Sequence, residues 1–133
     1  MKIINSENSN DIWLAAILKD KEKGTEKYFG NVHITEINWI DRRCTFGRLI
    51  GSPDLRGKGI GTLLTKEILR YCFECLGMQK VTAGCLEHNH SAIKSNLKAG
   101  MKEEAILKKD RFHKGNFINT HLFAAWSDNW SFH

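Results

Sequence analysis

Leu55-Arg56-Gly57-Lys58-Gly59-Ile60-Gly61-Thr62 decides the reading of this 133-residue chain, because three glycines and two cations stand where an extended run becomes a helix. Glycines 57, 59 and 61 carry no Cβ, so the backbone can reach positive φ and aim several N–H groups into one concavity. A helix that begins inside the concavity adds the positive end of its dipole and its unpaired first-turn N–H groups, which together favour an anion. Arg56 and Lys58 put mobile charge at the rim. The stretch reads as a phosphate cradle, against the plainer alternative of a glycine-rich turn with no ligand.

The helix is written in the residues that follow. Ile60, Leu63, Leu64, Ile68, Tyr71, Cys72, Cys75 and Leu76 recur at offsets of three and four, with Lys66, Glu67, Arg70 and Glu74 between them. Gly77 supplies the stop, which gives one amphipathic helix of roughly four turns. Two kinds of phosphate loop are excluded. A nucleotide-triphosphatase loop needs G-x-x-x-x-G-K-[ST], and a dinucleotide loop needs G-x-G-x-x-G after the first strand of a βαβ unit; the spacing here is G-x-G-x-G.

Outward from the loop, Arg43-Cys44-Thr45-Phe46-Gly47-Arg48-Leu49-Ile50 reads as the strand leading in, ended at Gly51-Ser52-Pro53-Asp54 by the chain's one proline. Before it, Tyr28 to Ile37 alternates, with Val32 and Ile34 on one face and His33 and Thr35 on the other, and Ile12 to Leu18 is a continuous apolar run expected to be buried on both faces. After the helix come a strand at Lys80 to Leu86, a short helix at Ser91 to Ala99 closed by Gly100, and a hairpin of Ala105–Lys109 and Asn116–Ala124 turning at His113-Lys114-Gly115. Three strands, helix, strand, helix and two strands make an α/β domain with its phosphate loop at the carboxyl end of a strand. The domain is expected over 12–126, with a loosely held lead-in at 1–11 and a tail at 127–133.

At 41% apolar residues the chain is one domain with a real core. No window approaches about 18 uninterrupted apolar residues and the N-terminus lacks a signal-peptide run, so the expectation is a soluble, cytoplasmic protein without membrane contact. The net charge of +5 suits an acidic partner, but the cations are dispersed among acids and no aromatic-interleaved basic run is present, which argues against nucleic acid. Cys72 and Cys75 are spaced C-x-x-C, yet both fall on the apolar stripe of the helix and Cys44 and Cys85 form no second close pair, so the four cysteines are expected to be buried free thiols and no metal site is expected. Glu87-His88-Asn89-His90 looks like a ligand cluster, but one short turn does not converge three ligands on an ion. Trp126 and Trp130 are expected to cap the core or meet a partner subunit.

Arg56 to Gly61 has the form R-x-x-G-x-G and resembles the pyrophosphate loop of the GCN5-related N-acetyltransferase family. Asn89-His90-Ser91-Ala92-Ile93-Lys94-Ser95-Asn96-Leu97-Lys98-Ala99-Gly100-Met101 resembles that family's second signature, N-x-x-A/S followed by a helix ending K-x-G-F, with Met101 in place of the aromatic. The tail from Leu107 to Asn119 resembles the terminal hairpin of the ribosomal-protein and amino-sugar acetyltransferase branch, with Asn119 where the pattern is acidic. The resemblance covers residues 12 to 125. It implies a mixed, mostly antiparallel sheet flanked by helices, here without the family's first strand and N-terminal helices, because only eleven residues precede Ile12.

The resemblance also implies an acetyl-CoA-dependent transfer of an acetyl group to a primary amine by direct attack, the acceptor being an amino sugar, a sugar nucleotide or a protein N-terminus. Backbone groups of Leu49, Ile50 and Gly51 would hold pantetheine, and Arg56, Gly57, Lys58, Gly59, Ile60, Gly61 and Thr62 the pyrophosphate. The Asn89 side chain would bond the pantetheine amide. Glu36 is the first candidate for general base and His33 the second. Asn96 stands where many members have a tyrosine that protonates the leaving thiolate, and an amide does not titrate. That departure, with the short N-terminus, keeps open an acyl-CoA-binding module without turnover and a pocket completed in a homodimer. Arg42, Arg43 or Arg111 could meet the phosphates of a sugar nucleotide.

Overall fold

A computed structural model describes residues 2–5, 10–51 and 59–132. Pro53, Leu55, Arg56, Gly57 and Lys58, and so the first half of the glycine loop, lie outside the described residues. Seven strands, β1 (Lys2–Asn5), β2 (Ile12–Asp20), β3 (Thr25–Asn38), β4 (Arg43–Ile50), β5 (Lys80–Leu86), β6 (Lys102–His113) and β7 (Asn116–Trp126), form one sheet in the order β1-β2-β3-β4-β5-β7-β6. Every neighbouring pair is antiparallel except β4 with β5. This is the mixed, mostly antiparallel sheet expected. It corrects one detail, because residues Lys2–Asn5, expected in a loose lead-in, form a strand that pairs Ile3 with Leu14. Two adjacent β-branched residues, Ile3 and Ile4, favour extended backbone, and β2 offers them its open edge.

Helix α1 (Ile60–Arg70) joins β4 to β5, and α2 (His90–Lys98) joins β5 to β6. Both crossovers step the same way across the sheet, so right-handed connections put both helices on one face. The strand residues of that face are sealed: Leu14, Val32, Ile34, Phe46, Val81 and Phe123 are each at most 3% exposed. Leu64, Ile68 and Leu69 of α1 pack onto them, each burial contributing about 1.5–3 kcal/mol. The other face of the sheet carries no helix among the described residues, and Trp13 there is 41% exposed and Leu49 65%.

The first helix differs from the single four-turn helix expected. After Arg70 the chain widens into a π-helical turn, Tyr71–Cys75, in which Leu76 N–H reaches the Tyr71 carbonyl at 3.1 Å. A wider turn advances each residue through a smaller angle, so Cys75 rotates off the apolar stripe and is exposed. The other three cysteines are buried, and all four are free. Its hydrogen bond with Cys44, and then burial, hold the Cys72 thiol well above its usual range, which suits an inert core thiol. Beyond β7, Trp130 folds back onto the core and donates to the Ala99 carbonyl at 2.8 Å. No helix among the described residues is long and apolar enough to cross a membrane.

Candidate active site in a forked sheet

The parallel pair β4–β5 lasts only three residues, Arg43↔Lys80, Cys44↔Val81 and Thr45↔Thr82. The Thr45 and Thr82 hydroxyls close it at 2.6 Å. Beyond that point β4 stays with β3 and β5 goes with β7, so the sheet forks. A cavity of about 560 Å³ lies in the fork, walled by Arg48, Leu49 and Ile50 on β4, by Gly59, Gly61 and Thr62 at the start of α1, and by Asn89, Ser91, Ala92, Lys94, Ser95 and Lys98 on or beside α2. Its lining includes three cations and no acid among the described residues, a composition suited to a polyanion.

Each wall has a local cause. Gly59 caps α1 with φ +77, nothing among the described residues lies within 4 Å of where its Cβ would be, and with Gly61 and Thr62 it puts the start of α1 on the cavity wall. Gly61 lets the two helices meet, since a Cβ there would stand 2.8 Å from Ser95 Oγ. Asn89 caps α2, its Oδ1 accepting from Ala92 N–H and the Ser91 hydroxyl, both at 3.3 Å. This leaves the Asn89 amide NH2 as the end with donors to offer a ligand. On β4, Gly51 N–H donates to the Phe29 carbonyl at 2.8 Å. Strand alternation therefore turns the peptide groups of Leu49 toward β3 and those of Arg48 and Ile50 toward the fork. Of the three residues expected to present backbone to pantetheine, Ile50 stands best.

The expected catalytic residues are not gathered in this cavity. Glu36 sits at a bulge in β3 with φ +52 and lines a second cavity of about 850 Å³ at the closed end of the fork, with Thr45, Thr82, Arg43 and Lys80 in its wall. His33 lines neither cavity; its ring stacks on Trp13 at 3.8 Å between centroids, and its Nε2 pairs with Asp11 at 3.0 Å. Asn96 is wholly buried behind the cavity and donates its amide to Cys85 Sγ at 3.1 Å. Its Oδ1 has no hydrogen-bond partner among the described residues. The residues of Glu87-His88-Asn89-His90 go to separate partners: Glu87 accepts from Asn119 N–H, His88 stacks on His113, and Asn89 caps the helix.

Sequence reasoning missed Arg48 and the α2 face. The signals were there, since Ser91, Lys94, Ser95 and Lys98 share helical spacing, and Arg48 falls on the same strand parity as the buried Cys44 and Phe46. Burial lowers the pKa of the Arg48 guanidinium and raises that of the Cys85 thiol, the latter opposed by Arg48 and by the Asn96 hydrogen bond.

A forked sheet with a helix N-terminus in the gap makes an α/β domain with an anion-binding cleft. Residues 1–102 match the acetyltransferase (GNAT) domain, and the chain belongs to that family. The spermidine N(1)-acetyltransferase of Escherichia coli K12 is 33% identical over 90 residues, 68% of this chain and 48% of that protein. The Vibrio cholerae spermidine N(1)-acetyltransferase is 29% identical over 96 residues, 72% and 55% of the two chains. The chain thus spans about half the length of the curated relatives it matches. A Vibrio cholerae spermidine N-acetyltransferase structure, in complex with CoA and spermine, shares the fold with a TM-score of 0.80 at 23% identity, over 92% of this chain and 69% of that one.

Proposed function

We propose that the chain is a cytoplasmic, acetyl-CoA-dependent N-acetyltransferase that moves the acetyl group to a primary amine by direct attack. The observation that carries this is the cation-lined cavity, without an acid among the described residues, where the N-terminus of α1 opens into the β4–β5 fork. The loop of Arg56, Gly57, Lys58, Gly59, Ile60, Gly61 and Thr62 holds the pyrophosphate, the β4 segment Leu49–Gly51 aligns pantetheine like an added strand through the peptide groups of Ile50, and the Asn89 amide bonds it from the other side. Acceptors enter from the second cavity, where Glu36 takes the proton from an ammonium of pKa near 10 directly or through water. His33, tied to Asp11 and Trp13, is the second candidate.

The acceptor class is a primary amine. The relatives named above are spermidine acetyltransferases; an amino-sugar nucleotide is the alternative, its phosphates meeting Arg43 or Lys80 in the wall of the second cavity in competition with their ion pairs to Asp41 and Glu104. Protein N-termini complete the candidates. Thiol release across spermidine, amino-sugar nucleotides and N-terminal peptides at saturating acetyl-CoA decides among them. Glu36→Gln is expected to lower turnover more than Asn96→Ala; the reverse ranking would make Glu36 a bystander.

The burial of Asn96 at the place of the family's tyrosine favours a second reading, an acyl-CoA-binding module without turnover. Stabilisation by acetyl-CoA with no thiol released for any amine would establish it. The bare sheet face bearing Trp13 suits self-association that completes the acceptor wall, and sedimentation of the protein with and without acetyl-CoA tests this.

A further inference from the structure

Among the described residues, Arg48 is the one cation that reaches the cavity from inside the fold. Lys94 and Lys98 stand exposed on α2, whereas Arg48 rises from the core-facing side of β4 and crosses the fork, so that its Nη2 donates to the Ala92 carbonyl in the first turn of α2 at 3.3 Å. Its guanidinium lies 5.7 Å from the centroid of the Phe46 ring and acts electrostatically on the Cys85 thiol of β5. Among the described residues no carboxylate lies within ion-pairing distance of it. A cation drawn out of water without a counter-ion carries a desolvation penalty that an anionic ligand removes. One carbonyl takes one of its five N–H donors, which leaves the others for that ligand.

The position along the cavity says which anion. Gly59 to Thr62 mark the phosphate end at the start of α1, and Thr45–Thr82 mark the closed apex of the fork. Arg48 stands on β4 between the apex and Ile50, so a chain anchored by its phosphates at α1 and laid along β4 brings its far, sulfur-bearing end to Arg48. Asn96, a non-titrating amide turned to Cys85, is no acid for that end.

We infer that Arg48 is the residue that stabilises the departing thiolate of CoA, so that the leaving group is paired with a fixed charge instead of being protonated by a side-chain acid. The inference rests on the acetyltransferase reading above. In the step, the amine nitrogen forms a bond to the thioester carbon and the C–S bond breaks with its electron pair passing to sulfur. The sulfur departs as a thiolate hydrogen-bonded to the guanidinium, and the proton lost from nitrogen passes to Glu36 and then to water. The other titratable groups around the cavity are the Cys85 thiol on β5 and the Lys94 and Lys98 ammoniums on α2.

The test is a titration of the thiol of bound CoA, followed by thiolate absorbance on the full chain. A cation in contact depresses an acid by roughly one to three pH units, so in the wild type the bound thiol ionises at least about one unit below free CoA. In Arg48→Met the depression disappears, and in Arg48→Lys part of it remains. Turnover in Arg48→Met falls roughly 10- to 100-fold, with the KM for acetyl-CoA changed less than about threefold. A measurement on the wild type alone guards against misfolded variants: a depressed bound pKa makes CoA bind increasingly better than desulfo-CoA as pH rises through it, until free CoA ionises as well. CoA bound with an unshifted thiol, or a pH-independent ratio of the two affinities, overturns the role of Arg48 alone. Failure of CoA to bind the wild type overturns the acetyltransferase reading and this inference together.

Discussion

Replacing Gly30 by alanine is expected to destabilise the protein by about 3 kcal/mol or more, a fall in Tm of roughly 10 °C for a domain of this size. Gly30 lies in β3 opposite Ile50, and a Cβ there would stand 2.3 Å from the Leu49 carbonyl oxygen and 3.2 Å from Ile50 Cα. Those atoms are backbone, so no rotamer change relieves the clash; the β3 and β4 chains must separate where β4 borders the cavity. Gly47→Ala is the control, since nothing lies within 4 Å of its Cβ position on the same strand pair. It is expected to change stability by less than about 0.5 kcal/mol or to stabilise slightly by restricting the unfolded chain. Urea unfolding of both variants checks the pair, and near-equal midpoints would show that the strands shift apart freely.

Gly59→Asp is expected to abolish the stabilisation that acetyl-CoA gives the wild type, about 2.7 kcal/mol at a ligand concentration one hundred times Kd. The carboxylate would stand at the N-terminus of α1 and compete with the pyrophosphate for the first-turn amides there. Gly59→Asn separates charge from conformation, because asparagine tolerates the same left-handed backbone at φ +77 and fills the same volume without the charge. Thermal shift and calorimetry should show weakened binding for asparagine and none for aspartate. Equal binding by both would move the phosphate site away from α1.

Much of the fold was legible because its elements are locally consistent. The strand bounds Arg43–Ile50 and Lys80–Leu86 were readable to the residue, since Gly51, the Gly77 turn and the Glu87-His88-Asn89 loop punctuate them. What escaped was set by tertiary geometry. The π turn at Tyr71–Cys75 keeps the same residue types as an α-helix and changes only their rotation, so Cys75 seemed to belong to the stripe. Strand β1 is four residues that acquire extended structure only against the edge of β2. The terminal hairpin ran longer than expected because Lys102, Glu103 and Arg111 to His113 look like loop in composition but are held by pairing with β7.

The site divides in the same way. Its phosphate end depends on glycine spacing within one turn, and such spacing is local information. Its chemical end depends on which side chains of β4, β5 and α2 meet across the fork, which pattern alone does not order. Asn96 illustrates this, since matching a motif put it at the reacting sulfur and packing put it against Cys85. Arg48 illustrates the converse, as an arginine that fits no motif and faces the core side of its strand.

The three-residue parallel seam has a mechanical meaning. Apart from it the sheet is two antiparallel ladders, β1 to β4 and β5-β7-β6, and parallel pairing is slightly weaker per residue than antiparallel. The angle between the ladders is therefore held less by the sheet than by the layer above it, through the approach of Gly61 to Ser95 and the bond from Arg48 to Ala92. Each ladder with its helix is a natural unit of partial unfolding, and the line between the units runs through the cavity. A ligand laid along that line stitches one unit to the other, so it protects against separation of the two halves as well as against local fraying of either.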